Sequence, residues 1–273
     1  MCAEGDYVLG THNEEIERLG LQHQVWRGQM LDGWARAGLT VGSRIVDFGA
    51  GPGYATLDAA EIVGRHGEVA SIERSRHFLD FARRQMERRE ISWGRFIHAD
   101  LDSDDISLAG FDVAWCRWVA SFVSSPPKLL QHIAASLRIG GKAVLHEYQN
   151  YSTWQAIPSS ERLRKFVEEV MASWRASGGE PNIVNHLMPL LRPAGLRILS
   201  LRPIISTVGP SHPGWQWLAS FIASGSRRLV DLRRISQSDA DNIQSELRSL
   251  EQDSAAIMVT PLVVEIIAER ESQ

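Results

Sequence analysis

The chain has 273 residues, 44% of them hydrophobic, which is enough for a full α/β domain with a sizeable core and argues against disorder. Its 29 Lys and Arg against 33 Asp and Glu leave a net charge of −4 with no local basic run, so the electrostatic footprint of a nucleic-acid partner is missing. Cys2 and Cys116 stand far apart and outside any metal-ligand spacing, so no metal is expected and both read as free thiols of a reducing compartment.

The opening Met1 to Asp6 lacks the basic start and apolar stretch of a secretory signal, and no later apolar run is long enough for a membrane span. A cytoplasmic location without a membrane partner is the expectation. Thr11-His12-Asn13-Glu14 is a capping-box start, and Ile16, Leu19, Val25, Trp26, Met30 and Trp34 recur at helical spacing, predicting one or two helices from Asn13 to Ala37. Strand then alternates with helix. Arg44 to Phe48 reads as a strand, Ala55 to Val63 as a helix, Glu68 to Ile72 as a strand ending in Glu73, and His77 to Arg89 as a helix. Phe96 to His98 and Phe111 to Trp115 are the next strands, Lys128 to Leu137 a helix, and Lys142 to His146 a fifth strand after Gly140-Gly141. This order predicts a parallel sheet with helices on both faces.

Beyond Glu147 the spacing becomes helical over Ser159 to Ser177 and Asn185 to Arg192, before a strand from Leu196 to Ile205. His212 to Asp253 is mostly helical with Trp215, Trp217 and Phe221, and Leu262 to Ile267 is a last strand. One domain with a helical insertion before its last strand is the simplest organisation: a helical cap over 1–40, then a catalytic domain over 41–273 carrying substrate-lid helices at about 151–192 and 210–254.

The segment Val46-Asp47-Phe48-Gly49-Ala50-Gly51-Pro52-Gly53 puts three alternate glycines where a strand turns into a helix, letting a ligand approach the backbone. Glu73 closes the next strand 20 residues beyond Gly53, where a carboxylate can take both hydroxyls of a ribose. A dinucleotide-binding oxidoreductase is the rival reading, but its fingerprint wants Gly or Ala where this chain has Tyr54. Asp47 would repel a diphosphate and suits a ligand bearing an ammonium.

On these residues the chain resembles the class I S-adenosylmethionine-dependent methyltransferases, with Val46 to Gly53 as their first motif, Glu73 as the acidic residue of the second, and Ala99-Asp100-Leu101 as the adenine turn. Phe111 to Trp118 and Leu137-Arg138-Ile139-Gly140-Gly141 continue the likeness over Arg44 to Glu147, Ile139 replacing the proline often found before the paired glycines. The resemblance implies a Rossmann-like α/β fold with a mostly parallel seven-stranded sheet, and S-adenosylmethionine as cofactor. It implies that backbone around Gly49 and Gly51 holds the methionine part, Glu73 the ribose, and Asp100 with Leu101 the adenine. Asp47, Ala50, Gly53, Arg74 and Arg117 are counted with them as cofactor-binding residues. The N-terminal segment also resembles the cofactor-capping helix of bacterial small-molecule methyltransferases, which implicates Tyr7, Gln22 and Trp26.

A sulfonium methyl is already electrophilic, so the enzyme must mainly align a nucleophile, exclude water and, where needed, take a proton. His146 and Glu147 are candidate bases and Arg117 a candidate for orienting an anionic acceptor, because ligands bind at the carboxyl ends of such strands. Each has a plainer reading: a packed core histidine, a turn-capping carboxylate, and an arginine paired with an acid. Trp215, Trp217 and Phe221 suggest a small-molecule substrate with an apolar or aromatic body, and equally a homodimer contact. A methyltransferase fold that binds the cofactor without transferring its methyl is the remaining alternative.

Overall fold

The computed structural model of the chain describes residues 13–272. Helix α1 (Asn13–Ala37) is followed by β1 (Arg44–Phe48), α2 (Tyr54–Val63), β2 (Glu68–Glu73), α3 (Arg76–Arg88), β3 (Gly94–His98), β4 (Phe111–Arg117), α4 (Pro126–Ser136) and β5 (Leu137–Asn150). Then come β6 (Gln155–Ile157), α5 (Glu161–Ala176), α6 (Val184–Leu191), β7 (Leu196–Ile204) and β8 (Thr207–Val208). Helices α7 (Pro213–Asp231) and α8 (Gln237–Gln252) precede β9 (Ile257–Val259) and β10 (Leu262–Arg270). The chain forms two compact units, each assembled from separate stretches of sequence. Among the described residues no helix is long and apolar enough to cross a membrane.

One unit runs from Trp26 to Glu147, from Ile183 to Pro203 and from Val264 onward, and holds the expected seven-stranded sheet in the order β3-β2-β1-β4-β5-β10-β7. The pairs β1–β2, β2–β3, β1–β4 and β4–β5 are parallel. Side chains alternate between two buried layers, as strand geometry requires. Val46, Phe48, Ala114 and Cys116 face Leu129, Ile133 and Leu187, whereas Ile45, Val69, Val113 and Val144 face Met30, Trp34 and Ala59. Parallel pairing leaves the carboxyl ends of β1, β2, β4 and β5 along one edge, and the ligand edge of an open α/β sheet is this one.

Two boundaries have identifiable local reasons. Strand β5 starts at Leu137, five residues before Lys142, because Phe111 pairs with Leu137 and the register then shifts before Val113 pairs with Lys142. Gly141 sits in that irregularity, where a side-chain carbon would come within 2.9 Å of both the Arg138 and Phe111 carbonyl oxygens. Helix α4 starts at Pro126 because Ser125 caps it, its hydroxyl accepting from the Lys128 amide at 3.4 Å, and proline suits the first helical turn.

The other unit comprises the described residues up to Val25, with Tyr148–Asn182 and Ile204–Val263. Its core is aromatic: Tyr148, Tyr151, Trp154, Phe166, Trp174 and Phe221 are all buried, with successive ring centroids 4.9 to 6.3 Å apart. Arg18 lies 5.7 Å over Phe221 and is neutralised by Glu15 at 2.5 Å. A three-stranded antiparallel sheet, β6-β9-β8, belongs to this unit and was not foreseen; strands of two or three residues are too short to display a period.

A charge cluster centred on the buried Glu265 and His146 fastens α1 to the large sheet. Glu265 of β10, 1% exposed, accepts from His146 Nε2 at 3.0 Å and from the Arg36 guanidinium, while Asp32 holds Arg36 at 3.1 Å and Arg202 at 2.6 Å. Burial pushes the Glu265 carboxyl up, but the hydrogen bonds from His146 and Arg36 outweigh it and leave the pKa lowered. Burial lowers that of His146 against the hydrogen bond and charge of Glu265. Helix α1 meets the cluster at Gly33, where an added side-chain carbon would run into Glu265 Oε2 and lie 3.4 Å from Val144. Replacing a mid-helix glycine by alanine ordinarily stabilises by up to about 1 kcal/mol. Gly33→Ala is expected instead to destabilise by about 1–3 kcal/mol, because it displaces a buried, bonded carboxylate. Urea denaturation measures this, and a Gly33→Ala chain as stable as its parent would show that Glu265 moves aside freely.

Candidate active site

The turn that leaves β1 adopts left-handed backbone at Gly49, Gly51 and Gly53, with φ of 68°, 56° and 80°. Any other residue would cost about 1–2 kcal/mol at each. The Gly49 and Ala50 amides donate to the Ile72 carbonyl at 2.9 and 3.0 Å, and Gly53 N donates to Ala50 O at 3.0 Å. A side-chain carbon on Gly49 would run into Val119, and one on Gly53 would lie 2.6 Å from Ala82 of α3. One on Gly51 would meet nothing within 4 Å. Two of the glycines therefore let the protein close on itself, and the one between them faces open space. Tyr54, which departs from the dinucleotide fingerprint, packs edge-on against Phe81 at 5.9 Å.

Two acids bracket this turn. Glu73, the last residue of β2, accepts the Gly51 amide on Oε2 at 2.9 Å and the Ser75 amide on Oε1 at 2.8 Å. Each oxygen keeps a second lone pair for a ligand hydroxyl. Burial raises the Glu73 pKa despite those two amides and the nearby charge of Arg74. Asp47 is 3% exposed and accepts the Thr56 hydroxyl at 2.7 Å, whose oxygen takes the Ser71 hydroxyl at 3.1 Å. Burial lifts Asp47 to about 6 against the Thr56 hydrogen bond and the charge of Arg117.

Beyond β3, Ala99 N donates to Glu73 O at 3.2 Å and leads into a tight acidic turn. Asp100 Oδ1 accepts Asp102 N at 2.9 Å, and Asp100 N donates to Asp104 Oδ2 at 2.8 Å. Leu101 is buried in the core layer that holds Ile72 and Ala99. Arg74 is exposed, and its carbonyl accepts His98 Nε2 at 2.9 Å.

At the ends of β4 and β5, Arg117 pairs in register with His146, and its guanidinium lies 5.5 Å from the Trp115 ring and 5.3 Å from the Trp118 ring. Trp118 has a left-handed φ of 54°, unusual for a large residue. Its amide donates to His146 O at 3.0 Å and its indole meets buried Trp26 edge-on at 5.1 Å. His146 and Glu147 are wholly buried. Glu147 Oε1 accepts the Val119 and Ala120 amides at 2.8 and 2.9 Å, Oε2 lies 3.4 Å from the Ser121 hydroxyl, and burial carries its pKa to about 7. Cys116 is a buried thiol whose pKa burial pushes well up, so it is no nucleophile.

Asp47, the glycine turn, Glu73, Arg74, Asp100 and Leu101 thus gather at the ends of β1, β2 and β3, with Arg117 and Trp118 at the end of β4. Gln22 lies in the other unit, where its Oε1 accepts from Arg18 at 3.3 Å and from the Trp217 indole at 3.0 Å. Tyr7 falls outside the described residues. Sequence reasoning missed the Thr56–Ser71 hydroxyl pair and Asp102. Only Asp102 left a trace, in the turn-forming run Asp102-Ser103-Asp104-Asp105. Among the described residues no group of three or more His, Cys, Asp and Glu is placed to hold a metal ion. The donor set fits S-adenosylmethionine: a carboxylate for an ammonium, a carboxylate for a ribose diol, and an open-faced glycine between them.

Comparison with known proteins agrees. A family profile described as a methyltransferase domain matches residues 39–195, more than half of the chain. The 2-phytyl-1,4-naphtoquinone methyltransferase of Synechococcus elongatus is 27% identical over 156 residues, 56% of this chain and 61% of that protein. The protein-L-isoaspartate O-methyltransferase of Methanothrix thermoacetophila is 30% identical over 107 residues, 39% of this chain and 48% of that protein. The matches thus span less than two thirds of either relative's length. A putative methyltransferase from Bacillus halodurans superposes with a TM-score of 0.62 at 14% identity, over 90% of this chain and 100% of that one. The profile match removes the oxidoreductase alternative, and the chain belongs to the methyltransferase-domain family, the class I enzymes whose cofactor is S-adenosylmethionine.

Proposed function

We propose that this chain transfers the methyl group of S-adenosylmethionine to a small-molecule acceptor with an apolar or aromatic body, in the cytoplasm. The observation that carries the reading is the Glu73 carboxylate held by the Gly51 amide at 2.9 Å, beside a glycine whose open side would admit a ligand. When bound, S-adenosylmethionine supplies a sulfonium methyl that a nucleophile displaces in line. The residues then have separate tasks. Glu73 takes the ribose hydroxyls, Asp100 and Leu101 form the adenine turn, and Asp47 faces the ammonium of the methionine end. Arg117, whose charge already lowers the Asp47 pKa, takes the carboxylate of that end, so a zwitterion meets both of its counter-charges.

His146 and Glu147, with no exposed surface, act from beneath the strand ends and not on the acceptor. Methyl transfer then relies on alignment and exclusion of water more than on a dedicated base. An acceptor with an apolar body is supported by the quinone methyltransferase among the relatives and by Trp115 and Trp118 beside Arg117.

Calorimetry with S-adenosylhomocysteine tests the cofactor site, and Glu73→Ala is expected to weaken binding about tenfold to a hundredfold, a charge-assisted hydrogen-bond loss. Gly51→Ala is expected to fold, since its new carbon meets nothing within 4 Å, yet to lose most of the affinity. Unchanged affinity in both variants would refute this placement. Incubation with methyl-labelled cofactor and a panel of phenols and quinols tests the transfer itself. Binding without labelled product from any acceptor would instead favour a cofactor-holding chain that transfers nothing.

The pH dependence has a definite sign. Asp47 ionises through about pH 6, and only its ionised form attracts an ammonium, so affinity is expected to rise about tenfold from pH 5 to pH 7. Asp47→Asn should flatten that rise, and a flat profile in the unsubstituted chain would remove Asp47 from the ammonium site.

A further inference from the structure

The segment 118–125, between β4 and α4, has no regular hydrogen-bond ladder, yet four of its backbone amides end on two carboxylates from elsewhere in the chain. Glu147 Oε1 accepts Val119 N and Ala120 N at 2.8 and 2.9 Å. Asp102 Oδ1 accepts Ser124 N and Ser125 N at 2.8 and 3.2 Å. The Asp102 end is reinforced: its carbonyl receives Lys128 Nζ at 3.0 Å, and its own amide donates to Asp100 Oδ1 at 2.9 Å. At the Glu147 end, the Val119 side chain lies where any side chain on Gly49 would have to go. One segment is therefore tied at its far end to the adenine turn and packed at its near end against the glycine turn.

We propose that Asp102 and Glu147 are positioning residues that clamp segment 118–125 at both ends, so that the adenine turn, the glycine turn and the Arg117–Trp118 corner move as one piece when the cofactor binds. The coupling to the cofactor rests on the function proposed above, whereas the clamp itself does not. Amides outside a helix or ladder need other acceptors, and a carboxylate oxygen with two lone pairs can serve two of them at once, at Glu147 for the buried Ala120 amide and its part-buried neighbour, and at Asp102 for the part-buried Ser125 amide and the exposed Ser124 amide. Neither acid needs to touch the cofactor. Ordering at the adenine turn passes through the Asp100–Asp102 bond to Ser124 and Ser125, then along the segment to Val119 at Gly49.

Hydrogen exchange on the full chain, followed by mass spectrometry, decides both parts. In the protein alone, Asp102→Ala is expected to speed exchange at Val119 and Ala120, the end that Asp102 does not touch, by about tenfold or more. Asp102→Asn should restore the native rate there, because a carboxamide oxygen accepts the same two amides. Acceleration confined to Ser124 and Ser125, or an Asn variant as fast as the Ala variant, would overturn the clamp. Addition of S-adenosylhomocysteine should protect 118–125 in the unsubstituted chain and leave it unprotected in Asp102→Ala, and protection of the glycine turn alone would overturn the coupling. Since Glu147 is fully buried, Glu147→Gln replaces an alanine variant that could fail to fold, and it should keep the near end protected. If the unsubstituted chain binds no sulfur nucleotide, the cofactor-coupled part is overturned together with the proposed function, and the ligand-free comparison still decides the clamp.

Discussion

The site depends on a single pairing, the parallel register of β1 with β2. Phe48 lies opposite Ile72, so Glu73 falls one residue past the end of its neighbour, level with the turn that follows β1. From there β2 supplies acceptors for three consecutive amides of that turn, Gly49 and Ala50 on the Ile72 carbonyl and Gly51 on the Glu73 carboxylate. The left-handed glycines would be costly in a free loop, and this neighbouring strand end is what makes their conformation the stable one. A slip of one residue would send Glu73 to the other face of the sheet, and both the turn and the acid would be lost together.

Much of this was legible because the large sheet is built from local signals. A strand, a glycine cluster and a helix in immediate succession identify Asp47 to Tyr54, and the next strand end identifies Glu73, with no knowledge of any distant contact. The same holds for Asp100, which follows the third strand directly. What the sequence concealed is of another kind. Thr56 reaches Asp47 across a turn, Asp102 reaches Ser124 over 22 residues, and Glu147 reaches Val119 over 28. Such side-chain-to-backbone bonds leave no periodic trace. The aromatic unit is hidden for a similar reason, since it joins Arg18, Trp154 and Phe221 from three separate stretches.

Three buried carboxylates show how the choice of partner sets protonation. Asp47 is offered a hydroxyl and Glu147 two amides and a hydroxyl, and burial still carries them to about 6 and about 7. Glu265 is bonded by a guanidinium and an imidazole, and its pKa falls. The direction follows the balance at each site: at Asp47 burial outweighs the Thr56 hydroxyl and the charge of Arg117, and at Glu265 the bonded guanidinium and imidazole outweigh burial. The distinction separates their roles. Glu265 is complete within the chain and fastens α1. Glu147 needs only lone pairs, because accepting two amides does not require charge. Asp47 accepts the Thr56 hydroxyl and feels the charge of Arg117, yet burial still holds it at about 6.

Trp118 joins these parts. Its left-handed backbone costs about 1–2 kcal/mol, and such strain persists only where the surroundings over-determine it. Here they do: its amide is bonded to the His146 carbonyl, its ring is met edge-on by Trp26, and the Arg117 guanidinium lies near its face. The sharp turn places a guanidinium steadied by aromatic rings at the strand edge, where its charge is felt at Asp47. Aromatic rings suit that task because their faces attract and orient a planar guanidinium. A group that meets Arg117 there meets a cation whose place its own surroundings have already fixed, which spares the cost of ordering it.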